Sequence, residues 1–197
     1  MTDLATTAWL RAALEHPPAA RIEVGTNRAS AVLVPVLRRP DGPTVLFVRK
    51  STQLNRHAGQ IGFPGGAVDP VDVDLVATAL REAHEEVGLD AARVEILGRL
   101  NEDRTFVTDY HIAPIVGWVV DPPPEWRLDE REIEATLEIP LDEIVATDPA
   151  GWLEFTAYGQ QLRAPRFEFR DGTVVWGASA RILIDLQQRL RNSLAGR

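Results

Sequence analysis

The chain has no cysteine among its 197 residues, so neither a disulfide framework nor a thiolate metal site can form. Long apolar runs are missing too. The longest, "AVLVPVL" at 31–37, falls far short of the roughly 20 residues a membrane-spanning helix needs. Nor is there an excess of positive charge: 21 Lys and Arg stand against 29 Asp and Glu, a formal net charge of −8. A general nucleic-acid binder needs a basic footprint, so that partner is not expected, and neither is a membrane. A small anionic molecule, held by a local basic cluster or a bound cation, stays open. The first residues, "MTDLATTAWLRAALEHPP", form neither a basic leader nor a continuous apolar stretch, which makes a cytoplasmic address the default expectation. No repeat or low-complexity tract interrupts the chain. What remains is 45% hydrophobic and 25% charged, an ordinary globular composition, read as one domain over residues 1–197.

The pattern along the chain predicts mixed elements. Residues 3–15 read as a short helix ended by Pro17-Pro18, and "SAVLVPVLRRPDGPTVLFVRK" reads as two strands around the turn "RRPDGP". Residues 74–87 read as a helix, with Gly88 where a left-handed cap falls. "VEILGRL" and "YHIAPIVGWVV" are predicted strands. In "EIEATLEIP" the residues Ile133, Ala135, Leu137 and Ile139 alternate, which predicts a strand burying one face. "RFEFRDGTVVWG" predicts a hairpin turning at Asp171-Gly172. Ile182, Leu186, Leu190 and Leu194 repeat every four residues, the stripe of a closing amphipathic helix. Strands with helices before, between and after them give an α/β or α+β layered fold.

The helix at 74–87 carries an anomaly. Val76, Ala79, Leu80, Ala83 and Val87 share one arc of the wheel, while Glu82, Glu85 and Glu86 share another. Like charges four residues apart cost about 0.2–0.5 kcal/mol in an isolated helix, and only Arg81 offsets them. The acids also sit in the second half of the helix, where its dipole disfavours them. No lysine interleaves them, and Asp69, Asp72 and a glycine pair precede them. A solvated acidic face is the plain alternative. A divalent cation accounts for all these features, and hard oxygen ligands without His or Cys point to Mg²⁺ or Mn²⁺.

The stretch resembles the Nudix box, G-x5-E-x7-R-E-U-x-E-E-x-G-U, across about residues 66–89. Gly66, Arg81, Glu82, Glu85, Glu86, Gly88 and Leu89 match; Asp72 replaces the first Glu, one extra residue precedes Arg81, and Ala83 fills an aliphatic site. The resemblance implies a Nudix fold, a mixed sheet sandwiched between helices, and hydrolysis of a nucleoside diphosphate linked to another group. Carried over by position, Glu82 and Glu86 would bind the metal, joined by Glu85 and the Gly65 carbonyl. Glu85 could instead orient the attacking water, Arg81 would tie the carboxylates together, and Glu132 is similar to a downstream acid that approaches the metal. Which residue acts as general base is left open.

Upstream, "LFVRKSTQLNRHAGQIGFPGG" at 46–66 is similar to the motif of coenzyme A diphosphatases, L-L-T-x-R-[SA]-x3-R-x3-G-x3-F-P-G-G. Leu46, Ser51, Gly59, Phe63, Pro64, Gly65 and Gly66 match, while Lys50 and Asn55 stand where the motif has arginines. The resemblance implies coenzyme A as substrate, cut to phosphopantetheine and adenosine 3′,5′-bisphosphate. Arg49, Lys50, Arg56 and His57 would read its phosphates, with Gly66 and Asp72 grouped among the substrate-binding residues. NADH, ADP-ribose or a nucleoside triphosphate is the alternative substrate. A non-catalytic nucleotide-binding module is a further reading, against which the clustered carboxylates speak. Homodimerisation, common in the family, is left open.

Overall fold

A computed structural model of the chain describes residues 3–15, 19, 28–54, 58–104, 110–157 and 159–196. Pro17-Pro18, Asn55, Arg56 and His57 lie outside them. The helices are α1 (Asp3–Glu15), α2 (Leu75–Val87), α3 (Leu141–Ala146) and α4 (Ala178–Ala195). The strands are β1 (Arg28–Leu37), β2 (Thr44–Lys50), β3 (Ile61–Gly62), β4 (Gly65–Ala67), β5 (Val94–Arg99) and β6 (Asp103–Arg104). They continue with β7 (Tyr110–Val119), β8 (Ile133–Pro140), β9 (Trp152–Ala157), β10 (Gln160–Glu168) and β11 (Val174–Trp176). A mixed sheet runs β3-β2-β1-β7-β5, with β4 on β1, β6 on β7 and β8 on β2; β11-β10-β9 form a second, antiparallel sheet.

β1 is the hinge of this arrangement. It pairs in parallel with β7 from Arg28↔Tyr110 to Leu37↔Val119, and antiparallel with β4 and β2 along its other edge. Because successive side chains leave a strand on opposite faces, β1 serves two cores. Ala31, Leu33 and Leu37 join Ala79, Ala83 and Val87 of α2 on one face. Val34 and Val36 face the other, with Leu10 of α1 and Leu183, Leu186 and Leu190 of α4. The sheet is thus sandwiched between helices, the arrangement that the resemblance implied within the layered fold predicted from the pattern.

β8 corrects one expectation. Ile133 and Ile139 have the same parity, yet Ile133 lies in the α2 core and Ile139 in the α1–α4 core. The register against β2 jumps there: Arg49 pairs with Ala135 but Lys50 with Ile133. Glu134 is the extra residue of a β-bulge, and a bulge turns all that follows it to the opposite face. Short elements also escaped the sequence pattern. β3 and β4, cut from "IGFPGGA", are too brief to show a period, and β9 extends the expected 166–177 hairpin to three strands.

Candidate active site

The geometry begins with the loop before α2. Asp69 and Asp72 close a tight turn, the Asp69 N–H donating to Asp72 Oδ2 at 2.9 Å and the Asp72 N–H to the Asp69 carbonyl at 2.9 Å. Asp74 then caps the helix, accepting from the Ala77 N–H at 2.8 Å, and Gly88 ends it in the left-handed region at φ 71°. Both boundaries agree with the sequence expectation to within a residue.

Between these caps, Arg81 works as a clamp. Its Nε and Nη2 each donate to Asp72 at 3.0 Å, Nη2 also to the Ala67 carbonyl at 2.9 Å, and Nη1 to Glu82 at 2.8 Å and Glu85 at 3.0 Å. Asp72 was expected among the substrate-binding residues. Its carboxylate is instead 3% exposed and satisfied by Arg81, by the Thr78 hydroxyl at 2.9 Å and by the turn. The Arg81 hydrogen bonds hold its pKa well below the usual carboxylate range. Asp72 positions Arg81, and its side-chain partners among the described residues are Arg81, Thr78 and the turn.

Gly66 lies beside the acidic helix. A Cβ placed there would lie 2.5 Å from the Glu82 carboxylate, so the missing side chain makes room for that carboxylate. At Gly65 a Cβ would lie 2.5 Å from the Ala31 carbonyl oxygen, so glycine is what lets β4 close on β1.

The three glutamates of α2 have different surroundings. Glu85 is 56% exposed on its salt bridge to Arg81. Glu82 is partly buried, and that burial raises its pKa against the opposing pull of Arg81. Glu86, 3% exposed, bonds Lys50 Nζ through Oε1, while its Oε2 is buried with no hydrogen-bond partner. Burial pushes the Glu86 carboxyl up to about 7, Lys50 working against the rise and the charges of Glu82 and Glu132 adding to it. Glu132 therefore does come to the acidic helix. The connection before β8 delivers it: the Asp129 N–H donates to the Glu86 carbonyl at 3.0 Å, the Glu132 N–H to the Asp129 carbonyl at 2.9 Å, and the Ser51 N–H to the Glu132 carbonyl at 2.8 Å.

The basic residues divide. Lys50 follows Leu46 and Val48 to the α2 face, where its ammonium is taken up by Glu86 instead of standing free for a remote phosphate. Arg49 has the opposite parity, that of Val45 and Phe47, and leaves β2 on the other face. His84 is exposed, its Nδ1 3.3 Å from the Leu89 carbonyl, as expected of the helix flank. Among the described residues no group of three or more His, Asp or Glu converges into a ready-made metal geometry.

A family model described as the NUDIX domain matches residues 27–158. The protein belongs to the Nudix hydrolases. A protein called uncharacterized Nudix hydrolase NudL, from Yersinia pestis (strain Pestoides F), is 39% identical over 165 residues, covering 84% of this chain and 81% of that protein. The same name and identity recur in Yersinia pseudotuberculosis serotype O:1b. Among solved structures, the Nudix hydrolase RenU from M. smegmatis superposes with a TM-score of 0.54 at 17% identity, covering 86% of this chain and 87% of that one. A MutT/nudix family protein from Enterococcus faecalis gives 0.54 at 12% identity, covering 98% and 75%. These likenesses establish the Nudix fold. Nudix hydrolases use divalent metal ions on small nucleotide substrates, and no helix among the described residues is long and apolar enough to cross a membrane.

Proposed function

We propose that this Nudix hydrolase cleaves the diphosphate of coenzyme A and its derivatives, releasing 4′-phosphopantetheine and adenosine 3′,5′-bisphosphate. One observation carries the reading: the segment similar to the coenzyme A diphosphatase motif runs straight into the acidic site. Its Lys50 reaches Glu86 and its closing Gly66 lies against the Glu82 carboxylate, while its Phe63 anchors the segment on Phe47 in the core on the other face of the sheet, the tilted rings 4.7 Å apart between centroids.

The residues fit a Mg²⁺ or Mn²⁺ ion. Glu86 Oε2 is a buried carboxylate oxygen without a partner, and Gly66 leaves space at the Glu82 oxygens. Glu82 and Glu86 would hold the ion, with Glu85, the Gly65 carbonyl and Glu132 as further oxygen donors. When bound, such a cation neutralises phosphate oxygens and acidifies water near neutral pH. Arg81 fixes Glu82 and Glu85 relative to the helix, so the donors are set before substrate arrives. In the reaction a water oxygen bonds to one phosphorus, the bond from that same phosphorus to the bridging oxygen breaks, the bridging oxygen leaves with the other phosphate, and a carboxylate takes the water's proton. Glu85 and Glu132, the exposed acids of the group, are the candidates for that proton. The chain acts as one catalytic unit, because the apolar cluster on one face of the sheet packs α1 and α4 together against it. We place it in the cytoplasm, in keeping with a cysteine-free sequence.

The test is a substrate panel of coenzyme A, dephospho-coenzyme A, NADH and ADP-ribose with Mg²⁺ or Mn²⁺, products separated by chromatography. Coenzyme A is expected to give the highest kcat/KM and the two named products. A higher kcat/KM for NADH or ADP-ribose would replace coenzyme A as substrate. Replacing Arg56 with Ala is expected to cost about 10- to 150-fold on coenzyme A, the worth of a charged hydrogen bond, and much less on the dephospho form.

A further inference from the structure

Twenty of the 21 basic residues are arginine, and Lys50 is the single lysine. Its place is specific. β2 carries it past Leu46 and Val48 to the α2 face, where its side chain is 21% exposed and its ammonium bonds Glu86 Oε1. The facing oxygen, Oε2, is left without a partner.

The contrast with Asp72 is informative. That carboxylate is locked by arginine, whose planar fork supplies two parallel bonds. A guanidinium at residue 50 could close both oxygens of Glu86 in the same way. A lysine ammonium is a compact point charge on a flexible stem, and here it takes one oxygen and leaves the other open. A buried carboxylate with no counter-charge is strongly destabilising, so the metal-free protein needs a cation at Glu86. Once a divalent ion sits on the same carboxylate, that need reverses. Two cations sharing one carboxylate repel each other.

We propose that Lys50 is an exchangeable counter-ion. Its ammonium neutralises Glu86 in the metal-free enzyme, is displaced when the divalent cation binds, and is then left facing the substrate's diphosphate. Lys50 is on this account a positioning residue for the metal site, and the inference rests on the metal-site reading above.

Because the lysine is unique, it can be observed directly. Reductive dimethylation with ¹³C-formaldehyde labels Lys50 and the N-terminal amine while keeping the charge; the Lys50→Met spectrum assigns the two signals. Titration with diamagnetic Mg²⁺ is expected to shift the Lys50 resonance with the midpoint that calorimetry gives for Mg²⁺. Lys50→Met is expected to bind Mn²⁺ about tenfold tighter than wild type at pH 8, having lost a charged competitor. At saturating metal its kcat/KM is expected to be about tenfold lower, having lost a donor to phosphate. Wild type that binds neither ion would sink the metal-site reading itself. Wild type that binds, with either an unmoved Lys50 resonance or a Lys50→Met affinity no tighter, overturns the exchange. Unchanged kcat/KM at saturating metal overturns the last step. The wild-type titration stands even if Lys50→Met fails to fold.

Discussion

Asp72 shows how much depends on one carboxylate that touches no substrate. Its two bonds to Arg81 carry the clamp on Glu82 and Glu85. Removing one partner of a buried pair costs about 3–5 kcal/mol, so Arg81→Ala is expected to lose that much in denaturant unfolding and to weaken metal binding in calorimetry. Intact stability in that variant would remove the role assigned to the clamp. Asp72→Asn adds a pH signature. Because the folded carboxyl lies below its unfolded value of about 3.9, its stabilisation is fully present above that value. It is lost as pH falls through the folded value. The stability gap between wild type and Asp72→Asn is therefore expected to be constant from about pH 5 to 7 and to close progressively below about pH 4; a gap that stays constant down to pH 2 contradicts it. Glu82→Gln separates chemistry from folding. Turnover is expected to fall roughly 100-fold, the loss of a charged ligand, while metal-free stability moves by under about 1 kcal/mol because like-charge repulsion is relieved. Wild-type turnover would leave Glu82 as a solvated face.

At the scale of elements, α2 was legible because its local signals agreed, a 3.6-residue apolar stripe and a glycine stop, and the Asp74 cap seen in the structure agrees with them. The roles of its neighbours were less so. A carboxylate that locks an arginine and one that binds a cation have the same composition and spacing, and only hydrogen-bond geometry separates Asp72 from Glu86. Lys50 looked like a phosphate reader for the same reason: a sequence shows its charge but not that a strand's parity aims it at α2. Ile133 was misplaced because a bulge has no signature in a period-2 pattern. That bulge gives an element-scale test. Deleting Glu134 makes Ile133 and Ala135 adjacent, so they can pair with Lys50 and Arg49 in regular alternation and Ile133 keeps the α2 face. Stability is therefore expected to change by under about 1 kcal/mol, as for a change that empties no core position, while the backbone carrying Glu132 shifts. A loss of about 3 kcal/mol or more in denaturant unfolding, of the order of emptying a core position, would show that the bulge itself is needed to bury Ile133.

Over the whole molecule, the site depends on residues far from it. Leu186 of α4 is fully buried in the core on the face of the sheet away from α2. Leu186→Ala is expected to cost about 2–5 kcal/mol. At about 2–4 °C per kcal/mol for a chain of this size, that lowers Tm by roughly 4–20 °C in calorimetry. Because the lesion lies across the sheet from the carboxylates, the KM of the folded fraction is expected to stay as in wild type. The layered fold was legible in the pattern of elements, and its sandwiched sheet came from the resemblance carried by the box. The parallel β1–β7 pairing was not, since no local signal states which distant strand a given strand will meet.

That pairing also sets an order of events during synthesis. Arg28 to Leu37 must wait for Tyr110 to Val119, and β2 must wait for β8. The acidic helix leaves the ribosome before either partner, with Ala113, Ile115, Val119 and Ile133 of its core, and Glu132, not yet made. A nascent chain of about 125 residues thus holds the whole box but not the surroundings that bury Glu86. Cation capture and catalytic competence are deferred until the strand after the box has been translated and has docked, so a prematurely released fragment carries the motif without the enzyme.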